Sequence, residues 1–329
     1  MSVAAPEIEP GFFSRGRLLT LVGALGGAAL FLYAVQRAGP AEVLDGIRRV
    51  GWGLALILLL AGVRFVIRAQ CWRLCMVEDV RLPLGRAFSA LLAGDAVGNV
   101  TPLGLLASEP AKVLLTRHHL ATRESVASLA VDNLVYAASA LAMIAIGLIV
   151  LLATVRLPVA DEWIIVGALA ASVGLVVVTK RLLRGTWNDE RGARPRWRER
   201  LAAWRGSVVA FSSARPGRLW RVFALDLVFH ALAVLEIFVT LEWLLGGGAT
   251  VAQAIVFEAL NRAITVAFKF VPFRVGIDEA LSGTLAPVLT INPTIGVTLA
   301  VVRKARSLFW AAIGLVLIAA HPARSSARA

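Results

Sequence analysis

Long apolar runs separated by short polar segments dominate the chain. Six runs approach or exceed the roughly 20 residues that a helix needs to cross a bilayer core. This pattern predicts an all-α polytopic membrane protein. The six predicted transmembrane helices lie at about 18–36, 52–74, 126–154, 163–179, 222–245 and 294–320.

Two further apolar segments, at about 86–107 and 252–291, are interrupted in matching ways. The first interruption reads N-V-T-P-L-G-L-L-A-S-E-P-A-K over 99–112, and the second reads K-F-V-P-F-R-V-G-I-D-E-A over 269–280. In each, a Glu follows a Pro by seven positions. Proline breaks a helix, and carboxylates at membrane depth are costly, so both features are typical of functional sites. We predict two re-entrant hairpins built of broken helices.

The order of these elements predicts an inverted repeat. The first interrupted segment has basic residues on both sides, so we expect it to enter and leave the membrane on the cytoplasmic face. Three crossings later, the second segment has to enter from the opposite face. Each half then has two helices, a hairpin and a helix, in units at about 15–155 and 160–322 of a single membrane domain, 1–329. Many secondary transporters share this plan, with the binding site between the repeats.

Composition and charge agree with a membrane protein and predict its orientation. Hydrophobic residues make up 58% of the chain and charged residues 17%, with a formal net charge of +13. The segment 180–221 is strongly basic. We expect this loop and both termini to be cytoplasmic, in a bacterial-type inner membrane. No nucleic-acid-binding motif accompanies the positive charge, so no nucleic-acid partner is expected.

The two interruptions also predict an anion-binding site near the middle of the membrane. A half-helix that restarts after a break points its positive end into the protein, which suits a phosphate group. Neighbouring bases would add charge, and carboxylates would accept protons or hold those bases in place. The predicted substrate-binding residues are Asn99, Pro102, Gly104, Glu109, Lys112, Asp132, Lys269, Pro272, Arg274, Gly276, Asp278, Glu279, Arg303 and Arg306.

Several ionisable residues have more than one interpretation. We expect Asp132 to pair with Arg303, because they follow the two breaks at similar distances; alternatively, Arg303 reaches the lipid headgroups from a helix end. Arg64 and Arg68 share a helix face and either bind an anion or anchor the cytoplasmic end. Asp226 and a histidine four residues later form either a proton relay or a structural pair. For the hairpin carboxylates, the alternative is purely structural pairing with nearby bases.

The chain resembles a known family at these residues. The segment 270–280, F-V-P-F-R-V-G-I-D-E-A, is followed by a last helix containing R-K-A-R. This arrangement is similar to a motif of the lysylphosphatidylglycerol synthase transmembrane-region family, the flippase-like domain proteins. T-P-L-G-x-x-A-S-E-P-A-K over 101–112 resembles that family's first motif. The resemblance covers about 15–320 and implies a membrane domain that moves a lipid between leaflets.

Two departures from the family pattern affect this interpretation. Phe273 and Arg274 stand where many members have small residues, so we expect a different headgroup. Members that make lysyl-lipid carry a cytosolic synthase domain after the helices. Because this chain ends at Ala329, we do not expect it to aminoacylate lipid on its own. No metal-ligand cluster, nucleophile motif or nucleotide loop is visible, so we do not expect it to be an enzyme.

Three functions remain open on the sequence alone. The first is a flippase for an anionic or phosphate-bearing lipid, with its cavity at the tips of two opposed hairpins. The second is a membrane-embedded lipid-modifying enzyme, with Glu109, Asp132 and Glu279 as acid–base groups. The third is a non-transporting subunit of a lipid or glycan pathway. The expected partner is a membrane lipid, with a homodimer and a separate lipid-synthesis enzyme left open; no metal or cofactor motif is visible.

Overall fold

The structure, a computed structural model, describes residues 31–76, 82–101, 105–156, 216–268 and 271–320. All secondary structure in these ranges is helical, as the apolar runs predict. Residues 31–38 are helical and precede the first complete helix. The complete helices are α1 (Pro40–Val50), α2 (Gly53–Leu74), α3 (Leu84–Val100), α4 (Leu105–Thr116), α5 (Thr122–Thr154), α6 (Pro216–Leu245), α7 (Val251–Ala267), α8 (Ile277–Val288) and α9 (Pro293–Ala319).

Within the described ranges, three helices are long and apolar enough to cross a membrane, namely α2, α5 and most of α6. They coincide with three of the six predicted spans, so the chain is an integral membrane protein. The predicted span at 163–179 and most of the one at 18–36 lie outside the described residues. The last predicted span, 294–320, forms one helix, α9. Its middle carries three basic residues, and it is not one of the three helices that are apolar enough to span.

Both predicted interruptions are breaks between helices. The first break separates α3 from α4, and its predicted residues Pro102 and Gly104 lie outside the described part of the chain, as does Lys269 near the second break. At the second break, α7 ends, a single 3₁₀ turn follows at Pro272–Arg274, and α8 then begins. The sequence therefore located both breaks correctly, because Pro and Gly signal them locally.

Strong caps fix the starts of two helices in the second half. Thr250 and Gln253 form a capping box at the start of α7, with the Thr250 hydroxyl accepting the Gln253 backbone N–H at 3.2 Å. Before α9, the Asn292 side chain accepts the backbone N–H of Thr294 at 2.9 Å, and Pro293 occupies the first helical position. Such caps satisfy amides that a helix leaves free. They set the register of α7 and α9, which carry buried charges.

Close helix packing surrounds the centre of the molecule. Helix α2 packs against α3 and α6, α9 packs against α3 and α8, and α7 packs against α5 and α6. Two glycines permit the tightest approaches: a Cβ at Gly147 would lie 2.0 Å from Cβ of Ala259, and one at Gly314 would lie 2.5 Å from the carbonyl oxygen of Leu92. Neither distance is compatible with a side chain, so α5–α7 and α9–α3 meet backbone to backbone.

Candidate functional site

One carboxylate, on Glu236 of α6, holds two guanidinium groups. Arg64 of α2 donates to Glu236 Oε2 at 2.9 Å, and Arg306 of α9 donates to Oε1. The Glu236 side chain is only 1% exposed, so these bonds form away from water. Arg64 also lies 4.4 Å from the ring centroid of Phe229, in cation–π geometry. Three helices are thereby joined at one buried charge.

Arg68 lies one helical turn after Arg64 and bridges two other carboxylates. Its guanidinium donates to Asp132 on α5 at 2.6 Å and to Asp226 on α6 at 2.7 Å. All three side chains are buried. The predicted ion pair between Asp132 and Arg303 is therefore wrong, since Arg68 takes that position instead. The interpretation of Arg68 as a membrane anchor fails for the same reason, because its charge is neutralised inside the bundle.

A third group of charges centres on Glu258 of α7. Its carboxylate accepts from Asn261 at 3.1 Å and pairs with Arg262 Nε at 2.7 Å. His230 Nδ1 lies 3.7 Å from the same carboxylate, and His230 Nε2 lies 3.2 Å from the hydroxyl of Ser139. His230 thus faces Glu258 and Ser139 rather than Asp226, which is held by an arginine. The predicted Asp226–His230 pair is not formed.

Among the described residues of α3 and α4, the first broken helix pair, charges cluster around Lys112. Lys112 of α4 is buried and lies 3.0 Å from Glu109 and 3.7 Å from Asp95 on α3. The two acidic side chains are 24% and 41% exposed. The ammonium group is consequently held by carboxylates that retain some access to solvent.

The turn at the second break is strained and tied down by ion pairs. Phe273 and Arg274 both have positive φ, at 48° and 49°, a conformation that costs a non-glycine residue about 1–2 kcal/mol. Lys304 donates to the Phe273 carbonyl oxygen and to Asp278 at 3.1 Å, and Arg274 lies 3.4 Å from Asp278. These contacts hold the turn against α9 and account for the tolerated strain.

Glu279, also near this turn, caps its own helix. Its carboxylate accepts the backbone N–H of Gly276 at 2.7 Å and lies 3.5 Å from Lys304. The side chain is fully buried. Gly276 has φ of 82°, which suits glycine at the start of α8. Glu279 therefore holds a base and a helix end in place.

Basic side chains from four helices and one turn meet at one cavity of about 290 Å³. Among the described residues that line it, six are Lys or Arg and two are acidic. The carboxylates that hold the arginines, on Asp132, Asp226, Glu236 and Glu258, do not contribute to the lining. The bases line the cavity and these four carboxylates do not, so its wall suits an anion. The lining bases are Arg64, Arg68, Lys112, Arg262, Arg274 and Arg306.

The structure brings together many of the predicted site residues. Asn99, Glu109, Lys112, Arg274 and Arg306 line the cavity. Others do not line it. Asp132 holds Arg68, Pro272 and Gly276 lie in the segment between α7 and α8, Asp278 and Glu279 lie in the first turn of α8, and Arg303 lies in a neighbouring recess. Within the described ranges, no three His, Cys, Asp or Glu side chains come together as metal ligands would.

Sequence reasoning missed three charged residues of this site. Glu236, Glu258 and Arg262 are buried and charged inside apolar helices. Each interrupts an apolar run, and Glu258 with Arg262 has the i, i+4 spacing of a helical ion pair. A scan for single charges within spans, rather than only at the breaks, would have found all three.

Comparison with known proteins identifies the family. A family model described as the lysylphosphatidylglycerol synthase TM region matches residues 19–314, which is most of the chain. Comparison with curated proteins and with solved structures gives no match. The matched range contains both helix breaks and every charged residue of the cavity. The chain therefore belongs to the lysylphosphatidylglycerol synthase transmembrane-region family.

Proposed function

We propose that this protein moves an anionic, phosphate-bearing lipid between membrane leaflets, with the headgroup passing through the basic cavity. The observation that carries the proposal is the excess of bases in the cavity wall, six against two acids among the described residues. Charges at membrane depth are costly and typically mark a substrate pathway. Several bases converging on one cavity favour a ligand with several oxygen acceptors, and phosphate is such a group.

An inverted repeat accounts for the helix packing and supports the transporter interpretation. In this proposal, the units at about 15–155 and 160–322 each contain two helices, a broken helix pair and a final helix. Each broken pair packs against the final helix of the other half, α3 on α9 and α7 on α5. The two closest helix contacts, Gly147 with Ala259 and Leu92 with Gly314, are related by one spacing in the sequence. Ala259 lies 167 positions after Leu92, and Gly314 lies 167 positions after Gly147. Such an exchange is expected of halves related by a two-fold axis.

Leaflet exchange in reconstituted vesicles tests the proposed function. The full chain would be placed in liposomes with phosphatidylglycerol labelled on one acyl chain, or with equally labelled phosphatidylcholine. We expect the anionic lipid to exchange about tenfold faster or more, since tenfold corresponds to about 1.4 kcal/mol of preference for the net negative headgroup. Exchange no faster than in protein-free vesicles would contradict transport, and equal rates for both lipids would contradict anion selectivity.

The proposed orientation predicts opposite labelling of two exposed positions. Trp52, before α2, is 95% exposed, and His118, between α4 and α5, is also exposed. With cytoplasmic termini and a cytoplasmic 180–221 loop, a Cys at position 52 faces outward and one at 118 faces inward. An impermeant maleimide should label Trp52→Cys in intact cells and His118→Cys only after permeabilisation. The native Cys71 and Cys75 are buried, and the unmodified protein serves as the blank. The reverse pattern would invert the topology.

A further inference from the structure

Three asparagines and a serine line the cavity together with its bases. Asn99 lies in α3, Ser108 in α4, Asn133 in α5 and Asn261 in α7. These side chains are neutral, so they do not add to the positive charge of the wall. They differ from the bases in chemistry, because an amide or a hydroxyl carries an oxygen that accepts hydrogen bonds, whereas arginine and lysine only donate.

Two of these side chains are almost completely buried. Asn261 is 4% exposed and Ser108 is 6% exposed. The Asn261 amide nitrogen donates to Glu258 at 3.1 Å, which leaves its oxygen without a donor from the described residues. The Ser108 hydroxyl likewise has no partner among them. Neither oxygen is an enclosed atom, so both keep access to the cavity that they line.

The other two amides also present free acceptors. Asn133 forms no side-chain hydrogen bond with any described residue, and its amide is not enclosed. Asn99 donates from Nδ2 to the backbone oxygen of Asp95 at 2.9 Å. Because that partner is an acceptor, it fixes which amide atom is nitrogen and leaves the oxygen available. The wall therefore carries free acceptors as well as cations.

A phosphate group does not satisfy these acceptors. The oxygens of a phosphodiester accept hydrogen bonds and donate none, so they pair with arginine and lysine. The amide oxygens need a donor on the ligand, which is either a hydroxyl or an ammonium group. An ammonium group would meet six bases and two acids, and both acids already pair with Lys112. Hydroxyl groups match the acceptors without adding positive charge.

Acceptors and bases are neighbours on α5 and α7. Asn261 directly precedes Arg262, and Asn133 lies three positions before Tyr136, on the same face of α5. The Tyr136 hydroxyl accepts from Arg262 at 2.6 Å, and its ring centroid lies 4.3 Å from the guanidinium carbon of Arg68. This arrangement suits a headgroup whose hydroxyls lie close to its phosphate.

We propose that Asn133, Asn261 and Ser108 bind hydroxyl groups, so that the transported headgroup is a phosphodiester of a small polyol, such as glycerol or a single sugar. This inference rests on the proposed function and specifies its substrate class. The cavity of about 290 Å³ lies near the lower limit of ligand sites, which is about 300 Å³. Its size suits one such unit rather than an oligosaccharide.

Two matched lipids test this inference with the full-length protein in liposomes. Phosphatidylglycerol and phosphatidylpropanol carry the same charge and the same three-carbon headgroup, and they differ only in two hydroxyls. Each would be a labelled trace component of phosphatidylcholine vesicles, so that the exchange rate reports binding as well as passage. We expect wild-type protein to exchange phosphatidylglycerol about fivefold faster or more, which is the effect of one net hydrogen bond.

Variants of the acceptors should change this preference. Asn133→Leu should lower the phosphatidylglycerol rate severalfold, towards that of phosphatidylpropanol, and leave the phosphatidylpropanol rate unchanged. Asn133→Ser should retain part of the preference, because the hydroxyl still accepts. Lys112→Gln is the matched control: it removes a cation from the same wall, so it should slow both lipids similarly and preserve their ratio.

The outcomes separate this inference from the proposed function. Equal exchange of the two lipids above the protein-free rate would overturn polyol recognition and leave anion transport intact. Exchange of neither lipid would contradict the proposed function itself. Phosphatidic acid and phosphatidylethanolamine complete the set: an equal or faster rate for the first would show selection by charge alone, and for the second selection of an ammonium group.

Thermal unfolding of the variants excludes a purely structural effect. Asn133→Leu breaks no hydrogen bond with a described residue, so its melting temperature should not fall below that of the wild type. If it does not fold, Asn133 has a structural role, and Ser108→Ala decides the question. Ser108→Ala should also reduce the preference without slowing phosphatidylpropanol. A wild-type preference that no folded variant changes would overturn the assignment of these residues.

Discussion

Arg68→Met is expected to destabilise the protein by about 3–5 kcal/mol, which is the usual cost of removing one partner from a buried ion pair. Asp132 and Asp226 both accept from this guanidinium, and their side chains are 3% and 0% exposed. Met fills a similar volume but supplies no charge, so both carboxylates would be left unpaired. Thermal unfolding and the folded fraction after purification in detergent measure the effect.

Arg49→Met is the matched control for this change. Arg49 pairs with Asp45 at 3.5 Å, but both side chains are 60% exposed, so we expect a loss below about 1 kcal/mol. Adding Asp132→Asn and Asp226→Asn to Arg68→Met should recover much of the stability, because the cost comes from orphaned charges. Equal melting temperatures for the two Met variants, or no recovery in the triple variant, would contradict this account of Arg68.

Lys112→Gln is expected to reduce exchange of labelled phosphatidylglycerol about tenfold or more, while the protein stays folded. The ammonium group lies in the cavity wall, and a charged hydrogen bond to a phosphate contributes about 1.5–3 kcal/mol. Its partners Asp95 and Glu109 keep partial access to solvent, so no fully buried charge is left behind. Exchange rates in vesicles, divided by the amount of folded protein, measure the effect.

Arg117→Gln is the control for Lys112, since Arg117 is an exposed base in the loop after α4. It should leave the exchange rate unchanged. Wild-type exchange by Lys112→Gln would remove Lys112 from the site. A fall in folded protein that matches the fall in exchange would show instead that Lys112 has only a structural role.

The helix breaks were predictable because their cause is local. Pro272 and Gly276 disfavour continuous helix wherever they occur, so a reader of the sequence can place the break without knowing the fold. The helical class and three spans were predictable for a similar reason, since about 20 apolar residues in a row have few other structures available.

The ion pairing was not predictable, because it depends on how the helices are rotated against one another. Asp132 and Arg303 follow the two helix breaks at similar distances along the chain, and this similarity suggested a contact. Similar spacing along the chain does not bring two side chains together, however, and Asp132 lies within reach of α2 instead. Arg68 is long enough to reach α5 and α6 at once, which hydrophobic patterns do not encode.

The buried ion pairs of the described residues do not join all the helices equally. Glu236 joins α2, α6 and α9; Arg68 joins α2 to α5 and α6; Glu258 and Arg262 join α7 to α6 and α5; and Lys304 joins α8 to α9. Helices α3 and α4 differ, because the described ion pairs of Lys112 connect them only to each other. Within the described ranges, displacing α3 and α4 together breaks no ion pair with another helix, but it separates the close contact between Leu92 of α3 and Gly314 of α9. The energetic cost of moving this pair therefore lies mainly in lost packing against α2 and α9 rather than in separated charges.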